Sequence, residues 1–213
     1  MHVVSTDEKT GIQALERAAP TKPTRPGLDE RREFEYVRHG TTCLIANFNV
    51  ATGEVIAPTL GPTRNEQDFA RHIEQTVAVD HDAKWIFIVD HLSTHTTESL
   101  VRLVATHEGF AGELGEKRTR KKKGHGVLQN AESRRAFLTD SGRQIRFVFT
   151  PKHCSWLNQI EIWFSILARR VLKRSSFNST DAANAAILAF INYFNEILAK
   201  PFKWTYTGRT LAA

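Results

Sequence analysis

Three carboxylates stand where a chain of this kind would place chemistry. Asp7 follows the β-prone opening of residues 1–6, Asp90 closes the apolar run Trp85-Ile86-Phe87-Ile88-Val89, and Glu161 stands in the first turn of a helical segment. Each alone has a plainer reading: a turn residue, a strand-end or helix-capping residue, and a favourable charge near a helix N-terminus. Together they are hard oxygen donors, and three converging carboxylates suit Mg²⁺ or Mn²⁺ rather than zinc. Two such ions about 3.5–4 Å apart can activate a water or a 3′-hydroxyl on one side of a phosphodiester and stabilise the leaving oxygen on the other. Chemistry of that kind needs no covalent nucleophile.

The elements that must position these groups follow from the hydrophobic pattern. A short first strand ends at Asp7-Glu8-Lys9, and the Pro-rich stretch 20–26 reads as loop. Residues 41–50 read as a second strand, Ala51-Thr52-Gly53 as a turn, and 54–60 as the returning third strand. Phe69, Ile73 and Val77 recur on one face of a helix over 65–77. The run ending at Asp90 reads as a central strand buried on both faces. A helix over 97–107 is capped by Thr96 or Thr97; a charged, Gly-rich insertion over about 109–144 holds a short helix at 127–138. Residues 146–150 form a strand stopped by Pro151. The segment 157–172 carries Ile160, Phe164, Leu167 and Val171 on one helical face, and a final helix over 180–198 starts at a Ser179 or Thr180 cap. This order predicts an α/β domain, a mixed five-stranded sheet with helices on both faces. If the first and fourth strands are neighbours, Asp7 and Asp90 meet at adjacent strand ends, the usual ligand crevice of open α/β sheets.

Composition bounds the rest. A chain of 213 residues has room for one domain, and 41% hydrophobic with 24% charged residues is a globular rather than a disordered or membrane balance. The opening residues lack a basic and then apolar leader, so the expected location is cytoplasmic. Two cysteines without paired spacing, Cys43 and Cys154, predict neither a disulfide framework nor a zinc site. A formal charge of +6 favours a polyanionic partner, as it would for ribosomal or membrane-surface proteins too.

Three longer blocks carry a resemblance. Ser5-Thr6-Asp7-Glu8-Lys9-Thr10-Gly11-Ile12-Gln13, Ile88-Val89-Asp90-His91-Leu92-Ser93-Thr94-His95 and Thr150-Pro151-Lys152-His153-Cys154-Ser155-Trp156-Leu157-Asn158-Gln159-Ile160-Glu161 resemble, in order, the catalytic blocks of mariner-like bacterial insertion-sequence transposases. The closing Lys200-Pro201-Phe202-Lys203-Trp204-Thr205-Tyr206 resembles that family's tail. The resemblance implies a DDE endonuclease domain of ribonuclease H-like fold, with Asp7, Asp90 and Glu161 as metal-binding triad for two Mg²⁺ or Mn²⁺ ions. It implies hydrolysis of DNA at transposon ends, transfer of the freed 3′ end to target DNA, a homodimer as working form, and a bacterial, nucleoid-associated setting. Family members carry an N-terminal helix-turn-helix region that reads the terminal repeats. Six residues precede Asp7, so recognition of those repeats is expected to be missing from this chain. His91 stands where the family commonly has Asn, and the insertion lengthens the spacing from Asp90 to Glu161 beyond the mariner type.

Other residues have both a functional and a plainer reading. Lys117, Arg118, Arg120, Lys121, Lys122 and Lys123 can neutralise phosphates, or form a solvated loop. Lys152 and His153 are candidates for contact with the scissile strand or for proton transfer, with a surface role as the alternative. His95 can order the loop after Asp90; Ser155 and Asn158 can cap the helix of Glu161 or, more sharply, support the metal. Trp156, Trp163 and Phe164 read as core. Two other functional classes stay open: an inactive remnant that binds DNA or a full-length partner, and a stand-alone ribonuclease H-like nuclease.

Overall fold

The computed structural model describes residues 1–120, 122–151 and 154–203. Five strands form one sheet in the order β3-β2-β1-β4-β5. They are β1 (His2–Arg17), β2 (Tyr36–Asn49), β3 (Val55–Gly61), β4 (Trp85–Val89) and β5 (Ile145–Phe149). β1 pairs antiparallel with β2 and β2 with β3, whereas β4 runs parallel to both β1 and β5. The mixed five-stranded sheet expected from the element order is present, with the first and fourth strands adjacent.

Helices cover both faces. On one, α1 (Glu66–Val77), α2 (Glu98–His107) and α3 (Ala131–Thr139) pack Phe69, Ile73, Leu100, Val104 and Phe137 onto Val4, Ile45, Trp85, Phe87 and Phe147. On the other, α4 (Ile160–Leu167) and α5 (Thr180–Tyr193) pack Trp163, Phe164, Leu167, Ile187 and Ile191 onto Ile12, Ala14, Leu44, Ala46 and Phe48. Because α4 and α5 lie over β1 and β2, Ile86 and Ile88 of β4 are only half-buried. That strand is therefore fully buried on one face only, through Trp85, Phe87 and Val89, and not on both as its unbroken apolar run suggested.

Two other expectations need correction. β1 is a long strand, so Asp7 lies within it rather than at its end. Residues 10–17 continue by pairing with β2 through register shifts on either side of Ile12, and Gly11 supplies the left-handed backbone (φ +64°) beside the first shift. The strand is hard to read there because Gly11 and the register shifts interrupt the alternation, and of residues 10–17 only Ile12 and Ala14 are buried. The helix after Pro151 is also broken up: a 3₁₀ turn at Ser155–Leu157 precedes α4, and a π-helical turn at Ala168–Leu172 follows it. A second π-helical turn, Phe194–Leu198, ends the last helix.

α5 starts at one of the two caps the sequence offered, Ser179, and α1 starts at Asn65. Asn65 accepts from Asp68 N–H while Asp68 accepts from Asn65 N–H, and Ser179 accepts from Ala182 N–H. Thr97 occupies the cap position of α2 without a side-chain capping bond; its hydroxyl donates instead to the Thr94 carbonyl. Among the described residues no helix is long and apolar enough to cross a membrane.

Candidate active site

The site is built where β1 outruns β4. Their parallel pairing ends at Ser5 opposite Ile88, and the same register continued two residues further sets Asp7 opposite Asp90, which immediately follows β4. Asp7 is 6% exposed, since α4 closes over this part of β1. Its Oδ1 accepts from Glu8 N–H at 2.8 Å and its Oδ2 from the Asn158 amide at 3.3 Å. Burial pushes the Asp7 carboxyl up to about 7; the Glu8 N–H bond opposes this, and the negative charges of Asp90, Glu8 and Glu161 add to the rise. Asp90 and Glu161 thus both lie within electrostatic reach of Asp7. Among the described residues, however, no three His, Cys, Asp or Glu side chains are drawn together closely enough to hold an ion as they stand.

Asn158 does not cap α4, nor does any side chain at the cap position, Gln159. Its amide nitrogen donates to the Thr6 carbonyl at 2.9 Å and to Asp7, while its amide oxygen accepts from the Ser5 hydroxyl. Ser5 in turn accepts from Ile160 N–H at 2.9 Å, so a strand residue does the capping. Asn158 thus ties the start of α4 to β1 and reaches Asp7. Ser155's side chain lies outside the described residues. Glu161 follows in the first turn of α4, exposed, with no partner for its carboxylate among the described residues.

Asp90 is held differently. Its Oδ1 accepts from Leu92 N–H at 2.8 Å and lies 3.0 Å from His95 Nδ1. The hydrogen bond from His95 outweighs partial burial and keeps this carboxyl below the usual range. His95 is fully buried in the 3₁₀ turn Ser93–Thr96, with Phe69 against its ring and Glu8 Oε2 3.2 Å from Nε2. Burial alone would lower this imidazole, but the bonds to Asp90 and Glu8 overcome it and hold the pKa at about 10. Glu8 is the residue the sequence reading missed. Strand alternation turns it to the face opposite Asp7, where a buried carboxylate requires a cationic or donor partner. His95, five positions after Asp90, was the available signal.

His91 is committed away from Asp90. Its Nε2–H donates to the Thr150 carbonyl at 2.6 Å, which leaves Nδ1 to accept from Arg135 at 3.0 Å. Arg135 belongs to α3, inside the insertion, and its guanidinium lies 4.2 Å over Phe149. The neighbouring Arg134 is buried and donates to the Thr96 and Leu128 carbonyls at 2.6 and 3.0 Å. The insertion is therefore fastened to the segment after Asp90.

Beside that fastening, Lys117, Arg118, Arg120 and Arg134 line an open depression of about 490 Å³. Lys122 lies 3.5 Å from Glu116, across a hairpin closed by the Glu116–His125 bridge. Lys123 is exposed. Lys121, Lys152, His153 and the tail from Trp204 onward lie outside the described residues.

The donor set, three carboxylates with no thiolate, fits a hard divalent cation in chemical type. A pH dependence follows. Because the Asp7 carboxyl is raised on folding, its contribution to stability is full below the unfolded value near 3.8 and is lost as pH rises through about 7. A bound divalent cation offsets that loss. Thermal melts should show Mn²⁺ raising the midpoint more at pH 8 than at pH 6; an equal rise at both would contradict a role for Asp7 in binding the ion.

Among curated proteins nothing matches the chain. Solved structures that match include the Mos1 mariner paired end complex with Mn, at 15% identity and a TM-score of 0.34 over 92% of this chain and 53% of the other. A pre-cleavage Mos1 transpososome matches at 16% and 0.35, covering 92% and 54%. The mariner Mos1 paired end complex with Mg matches at 16% and 0.32, covering 95% and 57%. The chain thus spans a little over half the length of those chains. The sequence model described as DDE superfamily endonuclease matches residues 2–183, most of the chain, and the chain belongs to that family.

Proposed function

We propose that this chain is the catalytic domain of a transposase, cleaving DNA at transposon ends and joining the freed 3′ end to target DNA. The observation that carries the reading is the placement of the buried Asp7 opposite Asp90 across β1 and β4, with Glu161 in the first turn of α4 adding its charge. Such a cluster of like charge is an ion site in waiting. Asp7, Asp90 and Glu161 would hold Mg²⁺ or Mn²⁺, two ions in the full site, which supply Lewis-acid activation of the attacking and leaving oxygens. Asn158 orients Asp7, and the Glu161 carboxylate, exposed and without a partner among the described residues, is able to swing toward the aspartates. Lys117, Arg118 and Arg120, beside Arg134, offer a basic surface for phosphates of the DNA backbone, which position the duplex without reading its sequence. Lys121, Lys122 and Lys123 extend that surface in sequence, and Lys152 and His153 belong to the same proposal by their place in the third block. A homodimer is part of it too: the ribbon joining β1 to β2 exposes Leu28, Phe34, Tyr36 and Val37, apolar surface of the kind that partners cover.

Nicking of supercoiled plasmid tests the reading. The purified chain should nick with Mg²⁺ or Mn²⁺, and activity should vanish with EDTA and in Asp7→Ala, Asp90→Ala and Glu161→Ala. Nicking that survives in all three variants would remove the carboxylate site from the mechanism. A folded chain that binds DNA but never nicks would support the remnant reading. Joining of ends bearing inverted repeats separates a transposase from a general nuclease.

A further inference from the structure

The buried pair Glu8 and His95 has no part in the proposed chemistry, yet it touches the site at one atom. Both side chains are shielded from solvent completely. Glu8 is fixed from two sides, by His95 Nε2 at 3.2 Å and by the Thr94 hydroxyl at 3.3 Å. The imidazole is fixed by Glu8 and by Phe69, whose ring centroid is 4.5 Å away. Its remaining nitrogen, Nδ1, lies 3.0 Å from Asp90 Oδ1 and 3.2 Å from the Asp90 carbonyl. Asp90 Oδ2 has no hydrogen-bond partner among the described residues. The chain Glu8–His95–Asp90 therefore runs from the interior to the sheet edge and ends on one oxygen of a carboxylate whose other oxygen is uncommitted.

We propose that His95 and Glu8 are positioning residues for the metal centre: Glu8 anchors the imidazole through Nε2, and Nδ1–H holds Asp90 by Oδ1 so that Oδ2 is presented to the cation. The inference rests on the reading of Asp90 as a metal ligand. Partners of this sort, acting on the ligand and not on the ion, restrict the ligand to one orientation and so strengthen binding.

Two substitutions separate this role from simple filling of space. The amide nitrogen of an Asn side chain falls where His carries Nδ1, and that of Gln where His carries Nε2. His95→Asn keeps a donor for Asp90 and loses Glu8; His95→Gln keeps Glu8 and loses Asp90. The measurement is Mn²⁺ affinity of the purified chain by calorimetric titration, with thermal melts alongside and Asp90→Asn as reference. His95→Gln should weaken Mn²⁺ binding by roughly 10- to 100-fold, while His95→Asn, which loses only the anchor, should weaken it several-fold, as Glu8→Ala would. Equal affinities in the two variants would overturn the inference. Asp90→Asn binding Mn²⁺ as the parent does would overturn the reading of Asp90 beneath it, and the inference with it. Loss in Asp90→Asn with full binding in His95→Gln would sink the inference alone. Should either histidine variant fail to fold, Glu8→Ala carries the test: the anchor is gone, Mn²⁺ binding should drop several-fold, and unchanged binding overturns the proposal.

Discussion

Asp90→Asn should abolish metal-dependent nicking, a loss of about 10³-fold or more, while the melting midpoint moves by only a few degrees. An amide is a far poorer ligand for Mg²⁺ than a carboxylate, and Lewis-acid stabilisation of a phosphoryl transition state is worth several kcal/mol, about 10³-fold per 4 kcal/mol. The fold has little reason to respond. The amide oxygen can still accept from Leu92 N–H and His95 Nδ1–H, and the side chain is already 28% exposed. Plasmid nicking rates set beside thermal melts make the comparison. Equal nicking by a folded Asp90→Asn protein would remove Asp90 from the mechanism; a collapse in stability would mean the residue is architectural first.

Trp163→Ala should be the costliest core change near the site, about 3–5 kcal/mol by urea denaturation. Trp163 is wholly buried on α4, with Phe164 and Phe194 edge-on at 5.9 and 6.0 Å and Phe190 tilted at 6.3 Å. Its ring holds α4 against α5. Truncation leaves a cavity at that joint and loosens the helix turn that carries Glu161, so nicking should fall as well. Trp163→Phe should cost far less than that. The indole Nε1–H is buried with no partner among the described residues, and removing an unsatisfied donor recovers part of what the lost ring area forfeits. A Phe variant as unstable as the Ala variant would contradict this account.

Much of the frame was legible because burial writes it into the residue pattern. Trp85, Phe87 and Val89 of β4, and Phe69, Ile73 and Val77 of α1, face the same core and show the periods of strand and helix. The far half of β1 was not legible, for Gly11 and the register shifts around Ile12 interrupt its alternation and leave Ile12 and Ala14 as its only buried residues. Asp7 and Asp90 could be placed together from the order of strands alone, because parallel neighbours bring equivalent positions side by side. Asn158 and Glu8 could not. Their roles depend on which oxygen or nitrogen meets which across 151 positions of chain from Asn158 to Asp7, and 87 from Glu8 to His95. No periodicity encodes that.

The Ser5 hydroxyl, between Asn158 and Ile160 N–H, sets an order of events. α4 lacks a cap of its own, so its first turn is completed only once β1 stands ready to accept from it. β1 and α4 lie far apart along the chain, and contacts of such separation form late because the intervening loop must close first. Asp7 and Glu161 are delivered by those two elements. During synthesis, β1 and β4 can bring Asp7 and Asp90 together first, and Glu161 joins them only once residues beyond 160 have left the ribosome. The carboxylate set is thus completed by the last of its elements to be made.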